Sequence, residues 1–366
     1  MGFNCGIIGL PNVGKSTLFN ALTATAAADA ANYPFCTIEP NTGQVTVPDA
    51  RLDKLGELAH SARLVPAQLE FVDIAGLVAG ASRGEGLGNQ FLGHIREVDA
   101  ILHVLRCFED DDITHVAGRI DPVADAEVVE TELMLADLES LEKRVDGLTK
   151  RARGGDKEAA QSLALCQRAI AALQAGKPAR TLAIADDERR AFRALQLLSA
   201  KPVLYVCNVD EGAAKDGNAH TRAVAAMAEA QGAGMVIISA AIEAEVAQLS
   251  DAEERAEFLA DLGLEEPGLN RLIREGYRLL GLITYFTAGP KESRAWTIPA
   301  GTRAPQAAGR IHTDFERGFI AADTIAYDDY VAAGGEQKAK AAGKLRTEGK
   351  DYVVREADVI EFKFNV

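Results

Sequence analysis

An α/β fold in two parts, with a helical insertion in the first part, is what this sequence predicts. Three observations carry the prediction. Short, near-continuous apolar runs recur at the length of strands buried on both faces, as in a parallel sheet. A stretch from about 121 to 200 instead repeats apolar residues at heptad spacing. Beyond about 281 the chain breaks into short strands separated by glycine and proline turns.

The apolar runs lie at 3–8, 68–73, 100–105, 201–208 and 235–239. Each polar motif discussed below follows one of them, at the carboxyl edge where open α/β sheets bind ligands. In the insertion, Met134, Leu138, Leu141, Val145 and Leu148 form one seam, and Ala159, Leu163, Cys166, Ile170 and Leu173 form a second. Gly154-Gly155 separates them, so the pattern predicts an antiparallel coiled-coil hairpin. Such an arm is by default a packed structural element, with partner binding the functional alternative. Helices are expected at about 251–261 and 267–281. Short strands at 283–287, 295–298, 320–325 and 359–364 predict a small C-terminal α+β domain. The expected domains are 1–120 with 201–280, then the arm 121–200, then 281–366.

An apolar content of 48% is ample for real cores. No apolar run is long enough to cross a bilayer, and the N-terminus leads straight into a strand, so neither membrane nor secretion is expected. Cys5, Cys36, Cys107, Cys166 and Cys207 form no C-x-x-C pair, which suits reduced thiols in the cytoplasm. The net charge of −15 argues against nonspecific nucleic-acid binding by the whole surface, and no sequence-specific DNA binding is expected. The 281–366 segment holds 12 basic and 12 acidic residues, so the excess of acid lies entirely before it.

Residues 9–17 read G-L-P-N-V-G-K-S-T, the phosphate-binding pattern G-x-x-x-x-G-K-[ST] in its strand–loop–helix setting. Gly9 and Gly14 let successive N–H groups of Asn12, Val13 and Gly14 curl around an oxyanion. Lys15 adds a positive charge at the β- and γ-phosphates, and the Ser16 hydroxyl suits Mg²⁺. Thr17 continues as a helix whose N-terminal dipole favours the phosphates. Asn12 could also ligate a monovalent cation such as K⁺, or simply brace the loop.

Asp73-Ile74-Ala75-Gly76 supplies a second half of the site: Asp73 for Mg²⁺ and the Gly76 N–H for the γ-phosphate. Thr37 stands where a switch threonine would close over the metal. Asn208-Val209-Asp210-Glu211 ends the fourth run, where GTPases of this general class carry N-K-x-D. Their aspartate accepts two hydrogens from guanine. Here Glu211 is a methylene longer and Val209 replaces the lysine, which moves the reading from GTP towards ATP. Asn208 and the Val209 main chain could still meet a purine, and Ser239-Ala240 could supply a backbone contact to the base. Leu77 sits where many relatives hold a water-orienting glutamine, so turnover is slow or another group assists. His115, in the acidic loop 109–115, is a candidate.

The motifs at 9–17, 33–41, 73–78 and 208–211, with Phe315-Glu316-Arg317-Gly318-Phe319-Ile320, resemble the YchF/Obg-like ATPase family over the whole chain. The resemblance implies a P-loop domain with a coiled-coil arm and a TGS-like, β-grasp-like C-terminal domain. It also implies slow Mg²⁺-dependent ATP hydrolysis and association with ribosomes through the large subunit, in translation and stress responses. The family's proposed catalytic histidine falls in the loop matching His115, which strengthens that candidate. A GTPase, or a ribosome-binding module indifferent to nucleotide, remains the alternative.

Overall fold

The computed structural model describes residues 3–30, 41–74, 87–110, 118–249 and 251–365. In chain order the first elements are β1 (Asn4–Ile8), α1 (Lys15–Ala30), β2 (Thr42–Thr46), α2 (Ala50–Ala59), β3 (Leu64–Val65), β4 (Gln68–Asp73), α3 (Leu87–Glu97) and β5 (Ala100–Arg106). The arm follows as α4 (Pro122–Arg153), α5 (Lys157–Gln174) and α6 (Arg189–Ala194). Then come β6 (Val203–Asn208), α7 (Ala219–Ala230), β7 (Gly234–Ile238), α8 (Ala240–Val246), α9 (Ala252–Asp261) and α10 (Gly268–Leu279). The chain ends with β8 (Leu282–Thr287), β9 (Ser293–Pro299), α11 (Ala304–Ile311), α12 (Thr313–Arg317), β10 (Phe319–Ala326), α13 (Tyr327–Ala333), α14 (Glu336–Ala341), β11 (Arg346–Glu348) and β12 (Asp358–Phe364).

Among the described residues, one compact unit draws on 3–25, 41–43 and residues between 70 and 275, and a second on 26–30, 44–69 and 276–365. One sheet has the order β2-β4-β1-β5-β6-β7, and its strands β1, β5, β6 and β7 lie wholly in the first unit. Its pairs β1–β4, β1–β5, β5–β6 and β6–β7 are all parallel. Every residue of β5 and of β6 is buried, which is why those runs read as continuous apolar stretches.

The arm belongs to this first unit. Asp121 caps α4 through Ala124 N–H and Asp156 caps α5 through Ala159 N–H, with Gly154 closing α4 between them. Leu141, Leu165, Cys166, Ala169 and Leu173 form its buried seam, closed by Leu195 and Leu197 beyond α6. Of the first heptad seam, Leu141 is buried and Met134, Leu138, Val145 and Leu148 pack half-buried against it. On α5 the burial shifts, since Leu165 is buried while Leu163 is only half-buried.

The second unit holds a mixed sheet of order β11-β10-β12-β8-β9-β3. Its central pair β12–β8 is parallel and the flanking pairs β10–β12 and β8–β9 are antiparallel. Ala304, Ala307 and Ala308 of α11 pack with Tyr285, Ile298, Ile360 and Phe362 of the sheet, a β-grasp-like arrangement. Residues 44–69, which the expected boundaries group with the nucleotide domain, belong to this unit. Two-residue β3 pairs in parallel with β9, and Arg51 meets Glu356 at 2.7 Å. So short a strand leaves no periodicity to read in the sequence.

Candidate nucleotide-binding site

Strand register builds the site. Ile7 of β1 pairs with Asp73 of β4, Ile8 with His103 of β5, and Arg106 with Asn208 of β6. The carboxyl ends of four strands therefore open side by side, and the loop 9–14 leaves the sheet among them before α1 begins at Lys15. Two glycines make that loop possible. Gly9 has φ +153°, and a Cβ there would lie 2.5 Å from the Val104 carbonyl oxygen. Gly14 has φ +95°, and a Cβ there would collide with the Asn208 side-chain amide.

Lys15 is only 8% exposed, and its Nζ donates 2.7 Å to the Leu10 carbonyl. Burial lowers its pKa, and Asp73 pulls in the opposite direction. Asp73 mirrors this: burial raises its carboxyl pKa and Lys15 opposes the rise. Asp73 Oδ1 is buried with no hydrogen-bond partner among the described residues. An orphaned carboxylate oxygen at the end of β4, in electrostatic contact with Lys15, fits a divalent cation, and the exposed hydroxyl of Ser16, next to Lys15, offers a second hard oxygen.

At the other side, Asn208 is clasped at both ends. Its Nδ2 donates 2.9 Å to the Val13 carbonyl, and its Oδ1 accepts from the Ala240 N–H at 2.9 Å. The side chain braces the P-loop against the start of α8, which leaves its Nδ2 one hydrogen for a base. Val209 is buried, and its N–H is held by the Ile238 carbonyl. Asp210 caps the following turn through Ala213 N–H at 3.0 Å, while Glu211 is exposed.

A cavity of about 800 Å³ joins the P-loop to the Asn208–Gly212 segment, and Asp73 is not among its lining residues. Of the residues expected from sequence, Asn12, Gly14, Lys15, Ser16 and Thr17 line one part, and Asn208, Val209, Glu211 and Ala240 another. Val13 and Ser239 are buried behind it: Val13 through its carbonyl to Asn208, Ser239 as the cap of α8. Thr37, Gly76, Leu77 and His115 lie outside the described residues. Phe108, Glu109 and Asp110, which no sequence motif marks as binding residues, also line the cavity. A signal for them exists, because they follow β5 at the same carboxyl edge as the recognised motifs.

The parallel sheet, the glycine loop and the cavity it borders define a P-loop nucleotide-binding protein of the GTPase class. Residues 4–140 match a family model described as 50S ribosome-binding GTPase, and residues 282–365 match the YchF GTPase C-terminal model, described as a protein of unknown function (DUF933). The chain is 58% identical over 366 residues to a protein of Haemophilus ducreyi named ribosome-binding ATPase YchF, with 100% of both chains covered. Proteins of the same name from Escherichia coli O157:H7 and Bacillus subtilis are 56% and 52% identical, again over 100% of both chains. The solved structure of the Schizosaccharomyces pombe YchF GTPase is 39% identical and covers 99% of this chain and 98% of that one, with a TM-score of 0.89. This chain belongs to the YchF family.

Proposed function

We propose that the protein is a Mg²⁺-dependent ATPase that hydrolyses ATP slowly, uses its nucleotide state as a switch, and associates with ribosomes. The observation that carries the ATP reading is a cavity bordered by both Lys15-Ser16 and Asn208-Glu211. Glu211 replaces the shorter carboxylate that pairs with guanine, while the Asn208 amide braces the loops and keeps one Nδ2 hydrogen for a base. The name borne by the bacterial relatives, ribosome-binding ATPase, supports the same reading and supplies the ribosome as partner.

Ser16 and Asp73 would hold Mg²⁺, with Thr37 as the switch ligand. When bound, Mg²⁺ neutralises charge on the β- and γ-phosphate oxygens. Lys15 binds and orients the phosphates, the N–H groups of the 9–14 loop cradle them, and Gly76 meets the γ-phosphate. Asn12 is the ligand for K⁺. His115 assists water attack, in place of the glutamine that Leu77 displaces. The proposed setting is the cytoplasm, in translation and stress responses through the large ribosomal subunit; among the described residues no helix is long and apolar enough to cross a membrane.

A GTPase reading has its own support in the description of the 4–140 match and in the name YchF GTPase borne by the Schizosaccharomyces pombe protein. Competition calorimetry with ATP and GTP separates the two. Tighter ATP binding is expected, and equal or tighter GTP binding would overturn the Glu211 argument. Co-sedimentation with ribosomes, with and without ATP, tests the switch; nucleotide-independent binding, unchanged by Lys15→Ala, would leave only a scaffold.

A further inference from the structure

The last residue of β5, Arg106, is 1% exposed, among the most buried large side chains in the described chain. Removing a guanidinium from water is costly unless its donors are satisfied. An apolar residue would fill the place without that cost. What an apolar residue cannot do is donate to main-chain oxygens. Arg106 Nε donates 3.2 Å to the Phe108 carbonyl, and an Nη donates 3.0 Å to the Asp110 carbonyl. The guanidinium carbon also lies 4.7 Å from the centroid of the Phe108 ring, a cation–π contact.

The next residue is tied from the other direction. Cys107 N–H donates 2.8 Å to the Asn208 carbonyl, and its own carbonyl accepts from Asn218 Nδ2 at 2.6 Å. Three carbonyls of the 107–110 turn are thus held by buried or half-buried donors, two of them by one side chain. This turn lines the cavity together with Asn208–Gly212, and Cys107 is bonded directly to Asn208, the residue expected at the base.

We infer that Arg106 is a positioning residue that fixes the 108–110 wall and so sets affinity for the nucleoside part of the ligand. The inference deepens the nucleotide-binding reading and rests on it. Arg106 needs no contact with the ligand, because it acts through the Phe108 ring and the two carbonyls it holds. Lysine retains the charge but gathers its donors on one nitrogen instead of a planar fork, so it reaches the two carbonyls, held by separate nitrogens of Arg106, less well.

The test uses the full-length protein with Arg106→Met and Arg106→Lys, titrated by calorimetry with ATP, GTP and inorganic tripolyphosphate in Mg²⁺. The expected result is about a tenfold or greater loss of ATP affinity in Arg106→Met, a smaller loss in Arg106→Lys, and unchanged tripolyphosphate affinity in both. Unchanged ATP affinity in a folded variant would overturn the assignment. So would equal losses for ATP and tripolyphosphate, which would mark general loosening of the fold. If the methionine variant fails to fold, the lysine variant carries the same comparison. A parent protein that binds tripolyphosphate but neither ATP nor GTP would instead sink the nucleotide reading itself.

Discussion

The Asn208 side-chain amide donates a 2.9 Å hydrogen bond to the carbonyl of Val13, joining residues 195 apart in the chain. Its oxygen holds the Ala240 N–H, so one buried side chain ties the P-loop, β6 and α8 together. Asn208→Ala should therefore weaken two things at once. With both partners left without their bonds, a stability loss of about 2–3 kcal/mol is expected, and ATP affinity should fall about tenfold. Denaturant unfolding and calorimetry check this, and an unaltered dissociation constant would show that the brace is dispensable.

Lys15 is buried while its charge is opposed mainly by one half-buried carboxylate, Asp73. Lys15→Met removes the desolvation cost of the ammonium while keeping the bulk of the side chain. Stability of the nucleotide-free protein should then change by less than about 1 kcal/mol. ATP binding should fall at least about tenfold. A large loss of melting temperature with retained binding would reverse the assignment of Lys15 to the phosphates.

His103 is fully buried on β5. Its Nε2 has no hydrogen-bond partner among the described residues, Tyr205 lies 5.7 Å away ring to ring, and Arg180 and Lys15 add positive potential. Burial first, and those two charges second, push its pKa down to about 3. The folded pKa lies below the unfolded value, so the unfolded chain takes up the proton first as pH falls. Stability from this group is complete above about pH 6.5 and is lost progressively as the pH falls towards 3, at up to about 1.4 kcal/mol per pH unit. His103→Leu should flatten that acid limb in urea unfolding at pH 4–7. An unchanged slope would count against it.

Asp137 of the arm accepts from the Leu198 and Ser199 N–H groups at 2.8 Å and from the Ser199 hydroxyl at 2.7 Å. Asp137→Ala orphans these donors in a buried setting and should cost about 3 kcal/mol. ATP affinity should be unaffected, because none of these residues lines the nucleotide cavity. A loss of ATP binding without loss of stability would reveal a coupling through the arm instead.

His115→Ala addresses turnover. With His115 as the assisting group, single-turnover ATP hydrolysis should slow about a hundredfold while ATP affinity stays unchanged. Parent-like turnover would remove His115 from the proposal and leave Leu77 with no substitute for glutamine.

Much of the site is legible in local chemistry. Gly9, Gly14 and Lys15 follow a strand whose apolar run is plain, Asp73 and Asn208 end two others, and the motif spacing is that of phosphate-binding loops. Phe108 to Asp110 escape notice because no motif labels them, although the strand before them is buried along its whole length. The Ser239 side chain caps α8, a role that does not compete with the backbone contact expected of Ser239-Ala240.

By itself the sequence determined the parallel sheet, the helical arm, the C-terminal strands and the phosphate loop, because periodicity and backbone-permissive glycines are local properties. Tertiary structure alone decided that residues 44–69 pack with the C-terminal chain, that Asn208 holds Val13, and that Arg106 turns inward to hold the 108–110 carbonyls. The first two depend on which distant groups are buried against each other. Arg106 bonds to residues only two and four positions on, but it is the burial of its side chain by the surrounding fold that turns it onto them.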